Sequence, residues 1–185
     1  MFTTKRLILR EWQEQDIDAF AAMNQDPEVM RFFPSTLTFD ESKGLVERIR
    51  QHFISHGFGL FAVELKKTGE FIGFVGLMIP NFPAPFMPCV EIGWRIAAPF
   101  WKQGYATEAA IRVLHLAFEQ FGLDEVVSFT AAVNLPSIGV MEKIGLTHTV
   151  KDDFDHPKLP KDDPLLRHVL YRLTAKTWQQ HDAVR

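Results

Sequence analysis

The sequence has one cysteine, two tyrosines and a nearly even charge balance, and each scarcity removes a class of function. Cys89 alone excludes an internal disulfide framework and any zinc site built from several thiolates, so no metal is expected. No hydrophobic run approaches the roughly 20 residues that a membrane-spanning helix needs. The best stretch, residues 71–79, is short and interrupted by glycine. Met1 leads into Thr3, Thr4, Lys5 and Arg6 rather than a signal-peptide core, so the expectation is a cytoplasmic protein with no membrane partner. With 20 Lys and Arg against 23 Asp and Glu the net charge is -3, and no cationic cluster is dense enough to track a phosphate backbone. A nucleic-acid partner is therefore not expected.

What the chain does have is phenylalanine, 17 in all, in a composition that is 46% hydrophobic and 23% charged. That is the balance of a globular protein with a large core or an apolar cleft. No linker divides the chain, and residues 1–185 read as one domain.

Strands and helices alternate along it. Residues 6–10 (RLILR) read as a strand and 16–23 as a short helix with Ile17, Phe20 and Ala21 on one face. Thr38 with Glu41 three residues later resembles a capping box, opening a helix that buries Leu45, Ile49 and Phe53 and stops at Gly57. Residues 59–65 and 70–78 read as a hairpin joined through Gly69. Segment 80–88 carries four prolines among Phe82, Phe86 and Met87, a constrained loop suited to walling a pocket. Strand 90–96 (VEIGWRI) follows, then a helix whose apolar positions Ala106, Ala109, Ala110, Val113, Leu114, Ala117 and Phe121 run up to Gly122. Strand 125–131, a short helix 137–144 and strand 166–173 complete the order of a mixed α/β (α+β) domain.

Two stretches carry chemistry. In FWKQGYATEA, residues 100–109, Gly104 sits where a strand has ended and a helix begins, so backbone N–H groups converge at a positive helix end suited to a pyrophosphate. In NLPSIGVMEKIGL, residues 134–146, Asn134 and Ser137 stand at the exit of a strand and the start of a helix. A tight turn filling space accounts for the lone Gly104 about as well; the two stretches together are far more specific.

Together with TKRLILREW, VEIGWRI, AFEQFGL and HVLYRL, these stretches resemble the GNAT superfamily of acetyl-CoA-dependent N-acetyltransferases, and within it the ribosomal-protein-alanine acetyltransferases. The resemblance implies a mixed sheet of about seven strands flanked by about four helices, with the fourth and fifth strands splayed at a bulge. It implies that the pantetheine arm of acetyl-CoA pairs with main-chain groups of Trp94, Arg95 and Ile96, as a peptide adds to a sheet edge. It places the pyrophosphate on backbone N–H groups of Gln103, Gly104, Tyr105, Ala106 and Thr107, helped by Lys102, with Asn134 and Ser137 also beside the cosubstrate. The sequence departs from the family pattern at Trp101, where an Arg or Gln is usual, and at Met141, where many relatives have tyrosine.

Acetyl transfer to an amine needs a proton acceptor, because amines are largely protonated near neutral pH. In VEIGWRI the pleat sets Val90, Ile92, Trp94 and Ile96 on one face and Glu91, Gly93 and Arg95 on the other. Glu91 is then the candidate general base, directly or through a water; an ion pair with Arg95 is the structural alternative. Backbone N–H groups near residues 94–96 would stabilise an oxyanion. Ser137 is the candidate acid for the departing thiolate, with helix capping as its structural alternative. Cys89 reads as a small buried hydrophobe, His168 as a residue of the last strand and His156 as a turn former. The expected acceptor is the amine of a protein N-terminus or of a small molecule, and the protein itself is expected to be a monomer or homodimer. The other reading is a coenzyme A binding module with little turnover.

Overall fold

Period-two patterning over Leu7–Arg10 and period-3.6 patterning over Phe39–His56 fix the first elements, and the computed structural model, which describes residues 1–182, contains both. Nine strands and six helices occur among the described residues. They form two compact units, Met1–Met78 with Gly93–Val113, and Ile79–Ile92 with the chain from Leu114 on.

In the first unit β1 (Phe2–Thr3), β2 (Leu7–Arg10), β3 (Leu60–Leu65) and β4 (Phe71–Met78) pair antiparallel in that order. Leu9 lies opposite Val63, and both are fully buried. Helices α1 (Asp16–Gln25), α2 (Pro27–Met30) and α3 (Phe39–His56) contribute to a core of Trp12, Phe20, Met30, Val46, Ile49 and Phe74. Burying each such side chain contributes about 1.5–3 kcal/mol. Trp12 meets Phe20 edge-on at 4.8 Å, and its indole N–H donates to the Leu60 carbonyl at 2.7 Å. The capping box of Thr38 and Glu41 is fully formed, and Gly57 closes α3. The buried stripe of α3 centres on Val46 and Ile49, leaving Leu45 and Phe53 only half-buried. Arg10 is buried with two carboxylates, Asp16 and Glu64, each at 2.7 Å.

The end of β5 (Glu91–Ile96) belongs to this unit as well. The Ala97 N–H donates to the Ile72 carbonyl at 2.9 Å, tying β4 to the residue after β5. Gly73 makes this approach possible: it sits at φ 142, and a Cβ there would collide with the Arg95 carbonyl.

In the second unit the start of β5 runs parallel to β6 (Glu125–Ala131), with Glu91 opposite Val127. The sheet continues from β6 through an antiparallel register from Glu125–Thr174 to Ala131–His168. That partner strand is β9 (Arg167–Thr174), which also pairs with the two short strands before it, β7 (Thr147–His148) and β8 (Phe154–Asp155). Helix α4 (Tyr105–His115) passes from the first unit into the second, where α5 (Leu135–Lys143) and α6 (Ala175–Asp182) complete the helices.

The expectation of about seven strands and four helices is exceeded by two-residue strands and by the short helices α2 and α6, none of which offers enough residues for a clear period. The long helix changes pitch after His115 into a π-turn, Leu116–Gln120, with the Phe121 N–H donating to the Leu116 carbonyl. The wider turn rotates Leu116 into the core and leaves Phe121 half-exposed, which a constant 3.6 period does not foresee. No described helix is long and apolar enough to cross a membrane.

Candidate active site

The stretch 101–107 is built as a cradle. Lys102 and Gly104 both adopt left-handed conformations, φ 60 and φ 80, so the chain doubles back at Gln103 before α4 begins at Tyr105. The first N–H groups of a helix have no intrahelical acceptor, which leaves those of Tyr105, Ala106 and Thr107 available to an anion. Arg6 braces the cradle, although sequence patterning marks it only as a strand residue. Its guanidinium donates to the Gln103 carbonyl at 2.9 Å and to Glu108 Oε2 at 2.6 Å, and lies over the Tyr105 ring. Glu108 also accepts from the Thr4 hydroxyl at 2.6 Å. Burial raises the Glu108 pKa, but the bonds from Thr4 and Arg6 outweigh it and hold the carboxylate below its usual range. An added Cβ at Gly104 would meet Arg6 Nη2 only at ordinary contact, 3.4 Å, so the glycine serves the left-handed conformation rather than space.

Trp101, the departure from the family pattern, has a structural role, because its indole N–H donates to the Ile96 carbonyl at 2.6 Å. Of the main-chain groups expected to meet a pantetheine arm, the Ile96 carbonyl is thus already engaged. The Arg95 side chain takes another course. It is 9% exposed, donates through Nη1 to Asn24 Oδ1 at 2.6 Å, and stacks on Phe33 and Phe74 at 4.1 and 5.4 Å. It forms no ion pair with Glu91, the structural alternative for that carboxylate.

In the second unit Glu91 keeps a partly exposed surface, yet its carboxyl is enclosed by protein. Burial alone acts on its titration and pushes its pKa up to about 8. The neighbouring backbone is held by the Val127 N–H donating to the Val90 carbonyl and by Ser128 Oγ donating to the Ile92 carbonyl, both at 2.9 Å. The second of these bonds comes from a side chain, where a continuing ladder would use backbone. A carboxyl raised this far exchanges its proton closer to neutrality than an ordinary carboxylate does.

Asn134, 8% exposed, caps α5: its Oδ1 accepts from the Ser137 N–H at 3.3 Å. Its amide nitrogen donates to Thr130 Oγ1 at 2.8 Å and to Ser137 Oγ at 3.1 Å. The helix therefore starts at Leu135 rather than Ser137, and the capping role proposed for Ser137 belongs to Asn134. Ser137 accepts one bond at Oγ and keeps its own proton to give elsewhere. Met141, at the usual tyrosine position, is 1% exposed and belongs to the core.

Other candidates fall away. Cys89 has its thiol pushed up to about 11, first by burial and then by the charge of Glu91, which leaves it a poor nucleophile. The rings of His168 and His156 lie 4.9 Å apart, tilted by 43°, within a cluster that includes Phe82, Phe129 and Phe154, and burial lowers the pKa of both. Among the described residues no group of three or more His, Cys, Asp or Glu is placed to hold a metal ion.

Comparison with known proteins gives a consistent answer. Residues 6–147 match the model of the acetyltransferase (GNAT) domain. The chain is 33% identical over 163 residues to the FsC-acetyl coenzyme A-N(2)-transacetylase of Aspergillus fumigatus, covering 84% of this chain and 68% of that protein. A GNAT-family acetyltransferase from Bacillus anthracis superposes with a TM-score of 0.76 at 23% identity, covering 94% of this chain and 98% of that one. Spermidine N-acetyltransferase from Vibrio cholerae, in complex with CoA and spermine, superposes with a TM-score of 0.73 at 19% identity, over 94% and 98% of the two chains.

Proposed function

The chain belongs to the acetyltransferase (GNAT) domain family, and from that premise we propose that it acetylates a primary amine by direct attack in a ternary complex, with Glu91 as the base. The observation that carries this reading is the enclosed Glu91 carboxyl, whose pKa of about 8 suits it to take a proton from an ammonium group. Acetyl-CoA, when bound, supplies the acetyl group as an activated thioester. The cradle suits its diphosphate: the left-handed turn at Lys102 and Gly104 presents the N–H groups of residues 103–107, Lys102 brings charge, and Arg6, paired with Glu108, holds the loop. Arg6 thereby takes the place of the Arg or Gln that Trp101 displaces from the loop. Main-chain groups of Trp94 and Arg95, with the Ile96 N–H, take the pantetheine arm, while the Ile96 carbonyl stays with Trp101. Asn134 orients Ser137, whose hydroxyl passes a proton to the leaving sulfur as it takes one from solvent. Its hydroxyl occupies the role of the tyrosine that Met141 replaces, which weakens the case for a module without turnover.

The test is thiol release from acetyl-CoA over a panel of amines, small molecules and peptides together. Acceptor-dependent release is the expected result. Tight coenzyme A binding with no release from any acceptor would sink the enzymatic reading.

A further inference from the structure

The first unit buries two arginines and treats them differently. Arg10 receives two carboxylates, Asp16 and Glu64, together with the Glu11 carbonyl. Arg95, 9% exposed, receives one neutral amide oxygen, Asn24 Oδ1, and no carboxylate among the described residues. Its Nε is buried with no hydrogen-bond partner, and its one bond to Asn24 leaves from Nη1 rather than Nη2. Nε and Nη2 form the side edge of the guanidinium, the fork that matches the two oxygens of a carboxylate. Burial without compensating charge lowers the Arg95 pKa to about 10, so the site carries a desolvation cost that a bound anion would offset.

The surroundings have the build of a receptor rather than a packing accident. Asn24 is itself fully buried and fixed from behind, its amide nitrogen donating to Ser42 Oγ at 3.0 Å. Phe33, 39% exposed, covers the guanidinium from the turn at residues 31–35 that follows α2. The covering element is thus a surface turn, not a helix. Arg95 stands near the end of β5, the strand whose main chain is expected to meet the cosubstrate.

The geometry points to Arg95 as an anion-recognising residue for the acceptor, so that the amine acetylated by this protein also carries a carboxylate, as a free amino acid does. This rests on the acetyl-transfer reading for its biological meaning, but the recognition itself is testable by binding alone. The probes are N-acetylglycine, N-acetylleucine and N-acetyl-lysine, each paired with its carboxamide, titrated calorimetrically into the protein saturated with coenzyme A. Such pairs differ at the carboxylate and carry no α-amine whose protonation could confuse the comparison.

Wild type is expected to bind at least one acid roughly tenfold or more tighter than its amide, the worth of a charge-assisted bond in a dry site. Arg95→Gln should bring that ratio close to one. Asn24→Asp is a second variant that leaves the arginine in place and supplies the missing counter-ion from within. It should raise the melting temperature and likewise abolish the preference for the acid. The inference is overturned if wild type does not distinguish any acid from its amide, or if the preference survives in either variant. It is also overturned if Arg95→Gln weakens coenzyme A as much as it weakens the acid, which would assign the guanidinium to the cosubstrate. Failure of the acetyl-transfer reading would show separately, as absent thiol release from a protein that still discriminates acids from amides.

Discussion

At the residue scale the chemistry depends on what burial does to single groups. Glu91 has a folded-state pKa near 8, above that of an unfolded carboxyl, so the folded protein binds an extra proton between the two values. Its stabilising contribution is full below the ordinary carboxylate range and is lost as pH rises toward about 8. Glu91→Gln removes that dependence, so its melting temperature should exceed the wild-type value by a margin that widens as pH is raised. Calorimetry in buffers from roughly pH 5 to pH 9 measures the margin, and a constant difference would contradict the buried titration. In the same variant the rate should fall by about 10² near neutral pH. The gap should narrow at higher pH, where more of the amine is already deprotonated. A stable Glu91→Gln protein with wild-type kcat at neutral pH would remove the residue from the mechanism. Ser137→Ala should lower kcat by roughly tenfold or more, because water replaces a positioned acid only in part. Met141→Tyr offers no rescue, contrary to what its place in the motif suggests. Met141 is 1% exposed, and a phenol there overpacks the core at a cost of about 1–3 kcal/mol.

At the scale of elements, the start of α4 is where backbone and side chains combine. Lys102→Ala should weaken acetyl-CoA only slightly, since an exposed charge contributes about 1 kcal/mol or less. Arg6→Ala should weaken it by roughly tenfold, because Arg6 holds the Gln103 carbonyl in place and its loss leaves Glu108 unpaired beside the cradle. Gly104→Val should block binding, as its φ of 80 disfavours a β-branched residue and the turn that presents the N–H groups would be lost. Calorimetric titration of the three variants orders them. If the lysine change abolished binding while the glycine change were harmless, the cradle would lie elsewhere. Helix α5 makes a parallel case: Asn134→Ala loses the cap, at a cost of about 0.5–2 kcal/mol, and frees Ser137 from the bond that orients it.

For the whole molecule, a cosubstrate that binds only the folded state stabilises it by mass action. Acetyl-CoA at about 100 times its Kd should raise the melting temperature by roughly 5–10 °C, and Gly104→Val should lose that increase. An unchanged melting temperature in wild type at saturating acetyl-CoA would contradict the assignment of the cradle. The elements themselves were legible in the sequence because their signals are local. The capping box at Thr38, the strand 125–131, the glycine of the 104 turn and the alternation that sets Glu91 on the other face from Ile92 all depend on neighbours a few residues away. Locality also set the limits of that reading. The π-turn after His115 moved the buried face of a helix whose spacing gave no warning, and Asn134 took the cap that Ser137 was equally fitted to supply. Partnerships were the least legible of all. Arg6 meets Glu108 across 102 positions, and Arg95 meets Asn24 across 71. Residue type and period determine which groups a short segment presents and on which face. Only the tertiary structure decides which of them are desolvated together, because that depends on which distant segments pack around them, and desolvation is what raises the pKa of a carboxyl such as Glu91 and leaves an arginine such as Arg95 without a counter-ion.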